Sequence, residues 1–433
     1  MEKITFVGTG YVGLVSGACL AEVGNSVICV DRDKSKIAQL QEGITPIYEP
    51  SLETIIKNNL ENGRLSFSMD LGKAVKESDI VFLAVGTPSD ENGKADLSYV
   101  EEAARAIGKN IEKYQYKIIV MKSTVPVGTT RRIEKIIREN CPQGANFDVV
   151  SNPEFLREGS AVADTFNMDR AIIGADNELA AARIERLFRA FTISFVKTTP
   201  ETSEMIKYSS NAFLATKISF INEISNLCEK VNADVKVVAK GMGLDKRIGI
   251  HFLDAGVGYG GSCFPKDIRA LIHTSQEAGY DLKLIRTTEE INLNQRKLVI
   301  DKITDYLHDL EGKTIGILGV AFKPGTDDIR EAPAITVIEQ LLAGGAKVKV
   351  YDPIAVKKII HLFGERIKYC FSIEETAVEA DALVLLTEWE EFKNIDFIKV
   401  SRIVGQKFLI DGRNLYEKKE VEDMGWKYCS FGR

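Results

Sequence analysis

The segment 258–267 contains the residues with the clearest chemical potential and reads Gly-Tyr-Gly-Gly-Ser-Cys-Phe-Pro-Lys-Asp. Its three glycines would let the backbone wrap closely around a ligand. Pro265 suits the first turn of a following helix, which would place Cys263 at the positive end of that helix, where a reactive thiolate is favoured. Lys266 and Asp267 add charge within one turn. We therefore predict that Cys263 is a nucleophile, against the alternative of a buried structural cysteine.

The other six cysteines fit that structural alternative. The seven cysteines are scattered through 433 residues without a C-x-x-C pair, which is typical of reduced thiols in the cytoplasm. The four histidines show no metal-ligand spacing either, so we predict no metal. The six are Cys19, Cys29, Cys141, Cys228, Cys370 and Cys429.

A second motif, Gly-Thr-Gly-Tyr-Val-Gly at residues 8–13, follows a strand-like apolar segment and opens a helical one. In that setting the pattern is typical of a dinucleotide site. Gly8 permits the tight turn, Gly10 lets a pyrophosphate approach the backbone, and Gly13 allows the helix to pack closely on the strand. The free N–H groups at the start of the helix would then hold the phosphates.

Asp31 ends the next predicted strand about 20 residues later, where the acid that binds a ribose is expected. Its charge favours NAD over NADP because it would repel a 2′-phosphate, although the adjacent Arg32 leaves NADP open. Two later strands end in polar turns that contain Thr87 and Thr124. Because strand carboxyl ends form the ligand-binding edge of a parallel sheet, we predict that both threonines contact the cofactor; capping of the following helices is the alternative.

Alternating strands and helices must position these motifs. Branched apolar runs bounded by Gly, Asp or Ser predict strands, and amphipathic segments between them predict helices. The predicted strands are residues 4–7, 27–30, 80–85, 118–121 and 149–150, and the predicted helices are residues 14–23, 34–41, 52–59, 99–111 and 130–139. This alternation predicts a parallel, doubly wound sheet.

The segment 201–240 differs because it lacks Gly and Pro and repeats apolar residues at helical spacing. We predict one long helix there. Since it is too apolar for a single solvated face, we expect it to bury a subunit interface in a homodimer or a higher even oligomer.

A second alternating region begins at residue 314, with predicted strands at 314–318, 347–351, 382–386 and 408–411 and a helix at 334–342. The predicted fold class is therefore α/β, with two Rossmann-like doubly wound parallel-sheet domains joined by a long central helix. The predicted limits are 1–200 for the NAD-binding domain, 201–300 for a central helical linker and dimerisation domain with the Cys263 loop, and 301–433 for the second Rossmann-like domain.

The composition limits the classes of partner. A hydrophobic content of 45% with 27% charged residues is typical of a globular protein, and 433 residues suggest two or three domains. The net charge of −6 gives no basic face for nucleic acid. No apolar run reaches the length of about 18 residues that a membrane span needs, so no membrane partner is expected.

Taken together, the motifs resemble those of the nucleotide-sugar 6-dehydrogenases, the UDP-glucose/GDP-mannose dehydrogenase family, over nearly the whole chain. The resemblance rests on residues 8–13, 123–128, 152–159, 207–211, 258–267, 322–330 and 411–413. It implies a four-electron oxidation of UDP-glucose at C6 to UDP-glucuronate with two NAD⁺. Cys263 would capture the aldehyde as a thiohemiacetal, which becomes a thioester that water releases.

The resemblance also implies roles for other catalytic residues. Lys207 and Asn211 would stabilise the oxyanion on C6, and Asp267 would orient or activate a water. Glu154 would act as a general acid–base in thioester hydrolysis, with Thr124 beside it. Which of Lys207, Asp267 and Glu154 moves which proton stays open.

The implied ligand contacts extend across the whole chain. For the cofactor they are Gly8, Gly10, Tyr11, Val12, Gly13, Asp31, Lys36, Thr87, Thr124, Glu158 and Arg330. For the UDP-sugar they are Glu154, Phe155, Leu156, Lys207, Asn211, Arg247, Tyr259, Gly260, Phe322, Lys323 and Arg413. Arg247 would reach the diphosphate from a neighbouring subunit.

Three alternatives remain at this point. The same chemistry could act on GDP-mannose or on a UDP-N-acetylhexosamine. A two-electron hydroxyacid dehydrogenase would use a catalytic lysine and leave Cys263 incidental. A non-catalytic nucleotide-binding protein is the third. The sugar nucleotide that is consumed decides the first alternative, and the number of NADH formed per sugar decides the other two.

Overall fold

The structure is a computed structural model that describes residues 1–90 and 93–433. Within these ranges the chain forms two compact units. The first unit comprises residues 1–210 and 269–280, and the second comprises residues 211–268 and 281–433.

The described strands of the first unit form one sheet. They are β1 (Lys3–Val7), β2 (Ser26–Val30), β3 (Leu65–Ser68), β4 (Ile80–Leu83), β5 (Lys117–Met121), β6 (Phe147–Ser151), β7 (Ala171–Gly174) and β8 (Phe195–Thr198). Their order is β3-β2-β1-β4-β5-β6-β7-β8, so the winding reverses between β1 and β4. The carboxyl edge at such a reversal is where open α/β sheets bind ligands.

The expected all-parallel arrangement is wrong at one pair, because β7 runs antiparallel to β6 through Ser151 and Gly174. A parallel return requires a crossover, usually a full helix. The connection here holds only α7 (Ala161–Phe166) after an irregular loop, so the chain re-enters the sheet from the edge at which β6 ends.

Helices cover both faces of this sheet and bury two apolar clusters against it. The remaining helices of this region are α1 (Tyr11–Glu22), α2 (Lys34–Gln41), α3 (Leu52–Glu61), α4 (Leu71–Glu77), α5 (Ser98–Asn110), α6 (Thr129–Asn140) and α8 (Glu178–Phe188). The five predicted strands and five predicted helices of this region are confirmed, all but the helix at residues 34–41 with shifted ends.

Four helices follow: α9 (Pro200–Val231), α10 (Val235–Gly243), α11 (Phe264–Glu277) and α12 (Lys283–Leu307). The prediction of one helix over residues 201–240 is wrong in its length. Asn232 adopts a left-handed backbone conformation (φ 56°), which ends α9. Asp234 then caps α10 by accepting hydrogen bonds from the backbone N–H groups of Lys236 and Val237.

The described strands of the second unit form a fully parallel sheet. They are β9 (Thr314–Leu318), β10 (Lys347–Tyr351), β11 (Lys368–Tyr369), β12 (Ala382–Leu385), β13 (Phe408–Asp411) and β14 (Lys427–Cys429), in the order β11-β10-β9-β12-β13-β14. The helices around it are α13 (Pro333–Ala343), α14 (Val356–Phe363), α15 (Ile373–Ala377), α16 (Phe397–Val400) and α17 (Lys418–Asp423). The predicted pair of Rossmann-like folds is confirmed.

The two sheets share one detail at the turn after their first strands. The backbone N–H of Gly8 donates to Val30 O at 2.8 Å, and that of Gly319 donates to Tyr351 O at 2.8 Å. Both glycines have positive φ (102° and 88°), which the tight turn requires. The carboxylate that ends the second strand, Asp31 or Asp352, accepts a hydrogen bond from the residue after that glycine.

The Asp352 carboxylate is buried and receives five N–H groups. The donors are the backbone N–H groups of Val320, Ala321, Ile354 and Ala355 and the indole of Trp389. A carboxylate offers about four lone-pair positions, so the surrounding protein saturates this one.

Across residues 1–90 and 93–433, no helix has both the length and the apolar character that crossing a membrane demands. In the same ranges, no group of three or more His, Cys, Asp or Glu side chains is arranged to hold a metal ion.

Candidate active site

Two of the three glycines of residues 8–13 are required by close backbone contacts. A Cβ atom on Gly8 would lie 2.6 Å from Ala84 O, and one on Gly13 would lie 2.0 Å from Gly8 O. By contrast, a Cβ on Gly10 would meet no described atom within 4 Å. Gly10 precedes the first turn of α1, and no side chain of the described residues caps that turn. Its amide groups therefore remain suited to a diphosphate.

Asp31 lies at the end of β2 beside this turn. Its Oδ2 atom accepts hydrogen bonds from Thr9 N at 2.9 Å and Thr9 Oγ1 at 2.7 Å and lies 3.3 Å from the Lys36 ammonium. Burial opposes ionisation, but the bonds from Thr9 and Asp33 and the charge of Lys36 outweigh it and lower the pKa of Asp31 to about 2. The predicted ribose acid is thus held as a carboxylate.

Thr87 and Thr124 follow β4 and β5 at the carboxyl edge of the sheet. Thr87 Oγ1 donates to Thr124 O at 2.8 Å, and Ser123 Oγ donates to Val85 O at 2.6 Å. These bonds hold the two polar turns together, so both predicted threonines lie at the edge where a ligand would bind.

Glu154 and Lys207 form a buried ion pair. Lys207 Nζ lies 3.1 Å from Glu154 Oε1, and both residues are almost completely buried. The other carboxylate oxygen of Glu154 accepts the backbone N–H of Leu156 at 2.5 Å. The Lys207 ammonium also lies 5.2 Å from the centre of the Phe155 ring. A buried pair of this kind is suited to moving a proton in a site without bulk water.

Glu49 is a buried carboxylate that the sequence analysis did not identify. It stabilises the 152–160 loop, which carries Glu154. Glu49 accepts the backbone N–H of Gly159 at 2.7 Å and that of Val162 at 3.2 Å. It also accepts the hydroxyl of Tyr11, the first residue of α1, and Gly159 N donates to that hydroxyl at 2.7 Å. The dinucleotide turn and the 152–160 loop are therefore joined through hydrogen bonds.

In the second unit, Cys263 immediately precedes α11, as predicted. Its carbonyl oxygen accepts Asp267 N at 2.9 Å, and its sulfur lies 3.6 Å from Ser262 Oγ. Asp267 is buried; its carboxylate receives the Asn211 amide at 2.6 Å and lies 2.8 Å from the Lys266 ammonium. The positive end of a helix beside a thiol favours the thiolate.

The loop before Cys263 packs on the β9 turn of the same unit. A Cβ on Gly260 would lie 2.2 Å from Glu331 O, and one on Gly261 would lie 2.8 Å from the Phe322 ring. Tyr259 is buried, and its backbone N–H donates to Asn292 Oδ1 at 2.8 Å. The glycines are therefore required for this close approach.

Arg413 is bound to three carbonyl oxygens: Leu386 O at 2.8 Å, Phe322 O at 3.1 Å and Gly258 O at 3.2 Å. In this structure its guanidinium fixes the loop that carries Cys263 and the turn at Phe322. Lys323 lies at the same turn, with its ammonium 5.5 Å from the Phe322 ring.

The other implied arginines lie at the surface of the second unit. Arg247 is paired with Asp245 at 2.6 Å, and its side chain is 89% exposed. Arg330 is paired with Asp328 at 2.7 Å. Glu158, the implied nicotinamide contact, is buried in the 152–160 loop of the first unit.

The structure also reveals a buried lysine that the sequence did not single out. Lys122 directly follows β5, and its ammonium donates to Asn152 Oδ1 at 2.9 Å. A lysine beside Ser-Thr in a turn gives no sequence signal of burial, because its partners lie on distant segments.

Comparisons with known proteins agree with this geometry. Three models of the UDP-glucose/GDP-mannose dehydrogenase family match the chain: the NAD binding domain at residues 2–192, the central domain at 201–294 and the UDP binding domain at 316–418. UDP-glucose 6-dehydrogenase TuaD of Bacillus subtilis (strain 168) is 50% identical over 433 residues, which cover 100% of this chain and 94% of that protein.

Two solved structures are also similar over their full length. A UDP-glucose dehydrogenase from the hyperthermophilic archaeon Pyrobaculum islandicum has a TM-score of 0.93 at 38% identity, covering 100% of this chain and 97% of that one. A UDP-D-ManNAc dehydrogenase from Pyrococcus horikoshii has a TM-score of 0.88 at 28% identity, covering 99% of each chain.

Proposed function

Since the chain belongs to the UDP-glucose/GDP-mannose dehydrogenase family, we propose that it oxidises UDP-glucose at C6 to UDP-glucuronate. One UDP-glucose and one water would be converted with two NAD⁺ into UDP-glucuronate, two NADH and three protons. The observation that carries the proposal is Cys263 at the amino end of α11, next to the buried Asn211–Asp267 pair.

The residues around the uncapped start of α1 fit a dinucleotide. The backbone N–H groups that follow Gly10 would hold the diphosphate, and Asp31 would accept the ribose hydroxyls. Gly8, Tyr11, Val12, Gly13 and Lys36 would complete the site around this turn. NAD⁺, when bound, accepts the hydride in each of the two oxidations.

The remaining predicted cofactor residues lie further along the chain. Thr87 and Thr124 would contact the cofactor at the carboxyl edge of the first sheet, and Glu158 would lie near the nicotinamide. Arg330 of the second unit would add a positive contact.

The C6 oxygen of the sugar would be bound from α9. Lys207 and Asn211 are four residues apart on this helix, so their side chains leave the same helix face. The ammonium and the amide would donate hydrogen bonds to the oxygen as negative charge develops on it. Glu154, paired with Lys207, would accept a proton.

Cys263 would hold the substrate between the two oxidations. Its thiolate attacks the C6 aldehyde, a carbon–sulfur bond forms, and the carbonyl oxygen takes a proton to give a thiohemiacetal. The second oxidation removes a hydride from carbon and a proton from oxygen and leaves a thioester. Water, oriented by Asp267 and deprotonated by Glu154, then adds to C6; the carbon–sulfur bond breaks and the thiolate leaves.

The nucleotide of the substrate would be bound by the second unit, whose residues 316–418 match the UDP binding domain. Phe322 and Lys323 would contact it at the turn after β9, where Arg413 fixes the backbone. Tyr259 and Gly260 would contact the sugar, as would Phe155 and Leu156. Arg247 would reach the diphosphate of a neighbouring subunit, since its side chain is exposed.

A second copy of this chain is the partner we propose for α9. Phe213, Phe220 and Leu227 follow one another at intervals of seven residues, so they lie on one face of the helix, and they are 65%, 43% and 56% exposed. Large apolar side chains in a row on one helix are typical of a subunit interface. We therefore propose a homodimer built along α9.

The proposed chemistry also suits the cytoplasm. The route requires Cys263 as a thiol, and within residues 1–90 and 93–433, which contain all seven cysteines, the structure forms no disulfide. A reducing compartment keeps such thiols available.

The test is to incubate the purified protein and NAD⁺ separately with UDP-glucose, GDP-mannose and UDP-N-acetylhexosamines and to count the NADH formed per sugar consumed. We expect two NADH per UDP-glucose and UDP-glucuronate as the product. One NADH per substrate would support the two-electron dehydrogenase instead, and none with any sugar would support a non-catalytic nucleotide-binding protein.

A further inference from the structure

The loop that leads to Cys263 is buried although it is irregular. Residues 255–261, which we call the cysteine loop, are all buried and form neither helix nor strand. Buried backbone N–H and C=O groups cost free energy unless they are hydrogen-bonded, and a loop has no ladder of its own to satisfy them. Polar groups from other segments of the second unit must therefore satisfy this backbone and set its path.

Helix α12 supplies three such side chains from one face. Asn292, Gln295 and Arg296 lie three and four residues apart, and all three are buried. Gln295 Nε2 donates to Gly256 O at 2.9 Å. Asn292 pairs with Tyr259 in both directions: its Oδ1 accepts Tyr259 N at 2.8 Å, and its Nδ2 donates to Tyr259 O at 3.1 Å. The helix thus fixes the cysteine loop at two points.

Arg296 makes bonds that reach beyond the cysteine loop. Its Nη2 atom donates to Tyr259 O at 3.0 Å and to Glu331 O at 3.0 Å. Its Nη1 atom donates to Thr336 Oγ1, in α13, at 3.4 Å. One nitrogen therefore bridges two backbone carbonyls, one in the loop before Cys263 and one in the segment between β9 and α13.

The segment on the other side of this bridge lies closely against the cysteine loop. Gly261 N donates to Arg330 O at 2.8 Å, and a Cβ on Gly260 would lie 2.2 Å from Glu331 O. Glu331 has a left-handed backbone (φ 51°), a conformation that costs free energy in a residue with a Cβ and that its surroundings must impose. The bond to Glu331 O is one such constraint, so Arg296 helps to set the spacing between the two segments.

We propose that Arg296 is a positioning residue for Cys263: its guanidinium holds the cysteine loop against the segment that carries Arg330, so that the thiolate captures the C6 aldehyde before the aldehyde can leave. The inference rests on the proposed function, in which Cys263 binds the aldehyde and Arg330 contacts the cofactor. Arg296 acts through the backbone and not on the substrate. Misplacing a reacting group by about 1 Å can cost about 100-fold in rate, so the bridge bears directly on capture.

Loss of the bridge should change where the aldehyde goes. The first oxidation yields one NADH and the C6 aldehyde; addition of the Cys263 thiolate forms the carbon–sulfur bond and retains the aldehyde for the second oxidation. A displaced Cys263 captures more slowly, so more aldehyde is released after only one NADH has formed. A loss of folded protein lowers the number of active molecules but leaves this division between release and capture unchanged. The division is therefore the quantity to measure.

The experiment supplies purified protein with UDP-glucose, NAD⁺ and an O-alkylhydroxylamine, which traps free aldehyde as an oxime with loss of water. The oxime and UDP-glucuronate are both quantified by mass spectrometry. Arg296→Met keeps a long unbranched side chain but has no N–H group. We expect its ratio of oxime to UDP-glucuronate to rise at least about tenfold over the wild type.

Arg296→Lys keeps the buried positive charge, and it decides the question if Arg296→Met does not fold. A lysine side chain ends one bond short of the Nη2 position, so it cannot hold both carbonyl oxygens as the guanidinium does. We expect Arg296→Lys to raise the oxime ratio at least about threefold. Wild-type retention of the aldehyde in folded Arg296→Lys would overturn the proposal, because charge alone would then be sufficient.

Lys302→Met is the matched control, because Lys302 lies on the same helix and bonds to both carboxylate oxygens of Glu229 at 2.7 and 2.9 Å. The Lys302 side chain is 14% exposed, so the substitution removes a largely buried ion pair that joins α12 to α9. It should lower stability and leave the ratio of oxime to UDP-glucuronate at the wild-type value. An equal rise in Lys302→Met and Arg296→Met would overturn the proposal.

Amide hydrogen exchange tests the bridge without turnover. Tyr259 N and Gly261 N are both hydrogen-bonded, so their exchange requires the cysteine loop to open. Arg296→Met should speed exchange in peptides that cover residues 256–263 by about tenfold, and Lys302→Met should not. Unchanged exchange in Arg296→Met would show that the guanidinium does not hold the loop, and the proposal would fail.

The two measurements also separate this inference from the proposed function. A wild-type protein that forms no UDP-glucuronate would refute the proposed function, while hydrogen exchange would still report whether Arg296 holds the cysteine loop. Wild-type activity with two NADH per UDP-glucose, together with retention of the aldehyde in both Arg296 variants, would refute the inference alone.

Discussion

The side-chain amide of Asn211 donates a hydrogen bond to Asp267 Oδ2 at 2.6 Å and so joins α9 to the first turn of α11. Both residues are buried. The bond fixes the orientation of a carboxylate one turn away from Cys263. Position 211 therefore requires a side chain that donates a hydrogen bond, because only a donor can satisfy the Asp267 Oδ2 atom.

Asn211→Asp is the sharpest test of that contact. Two carboxylates at this separation cannot both stay ionised, so they would share a proton. We expect kcat at pH 8 to fall about 100-fold and to recover at least about tenfold toward pH 6, as the shared proton binds. The pH dependence of kcat measures this.

Asn226→Asp is the matched control, because Asn226 lies on the same helix and bonds to the neutral amide of Gln295 at 3.0 Å. It should show no recovery on acidification. A pH-independent loss in Asn211→Asp would contradict the shared-proton explanation.

Cys263→Ala removes the group that would hold the aldehyde. We expect UDP-glucuronate formation to fall by about 1,000-fold or more, because no carbon–sulfur bond can form. Binding of NAD⁺, measured by calorimetry, should stay at the wild-type affinity. Cys141→Ala, which removes a partly exposed thiol from the end of α6, should retain the wild-type rate. Undiminished acid production by Cys263→Ala would end the covalent mechanism.

Glu204 stabilises the start of α6 from α9. Its carboxylate accepts Gly128 N at 2.6 Å, Thr130 N at 2.7 Å and Thr130 Oγ1 at 2.6 Å. Glu204→Ala leaves these donors unsatisfied, and we expect the free energy of unfolding to fall by about 3 kcal/mol in urea titrations.

Glu201 lies three residues earlier on α9 and pairs with Arg131 at 2.7 Å with both side chains 39% exposed. Because exposed pairs contribute little, Glu201→Ala should cost less than about 1 kcal/mol. Equal losses in the free energy of unfolding for Glu204→Ala and Glu201→Ala would show that Glu204 does not stabilise the protein by capping α6.

The buried charge of Lys122 should also affect stability as a function of pH. Its pKa is about 8 in the folded protein, below the ordinary value of 10.5, so between these values the unfolded chain binds the extra proton. The free energy of unfolding should therefore rise with pH across this window, by up to about 1.4 kcal/mol per pH unit. Below pH 8 the contribution is constant.

Thermal unfolding midpoints of the wild type and of Lys122→Gln, compared from pH 7 to 10, measure this rise. The wild type should gain stability relative to the variant as the pH increases. If the stability of the wild type relative to Lys122→Gln does not rise with pH, Lys122 keeps its proton in the folded state.

The proposed dimer makes a prediction about α9. Replacing Phe213 and Phe220 together with serine should raise the dissociation constant of the dimer by at least about 100-fold, because buried aromatic side chains dominate such interfaces. Analytical ultracentrifugation over a concentration series measures it. Leu179→Ser, at a 79% exposed position on α8, should have no effect. An unchanged dissociation constant in the double variant would place the interface elsewhere.

The sequence predicted the elements around the motifs because their signals are local. The strands at 314–318, 347–351 and 408–411 are apolar runs with clear ends, and they occur as predicted. The glycines at residues 8–13 and Pro265 act within one turn, so the positions of α1 and α11 followed from them. The domain limits and the roles of the site residues remain predictions.

Other features depended on distant partners and could not be predicted. Strand β8 is largely exposed at the sheet edge and carries a weak apolar pattern, and the left-handed conformation of Asn232 has no strong local signal. Burial of Lys122 and Glu49 is set by Asn152, Gly159 and Val162, which are 30 or more residues away in the chain.

The saturated carboxylate of Asp352 has a consequence for which of the two Rossmann-like units can bind a dinucleotide. In the first unit the start of α1 is open to a diphosphate, and Asp31 lies beside that opening. The corresponding carboxylate of the second unit, Asp352, already accepts hydrogen bonds from the backbone of its own unit and from the Trp389 indole. A copied architecture therefore need not carry a copied affinity: redesign toward a second dinucleotide would have to remove several of the five donors to Asp352, because loss of the Trp389 indole alone would leave four backbone N–H groups, enough to saturate the carboxylate.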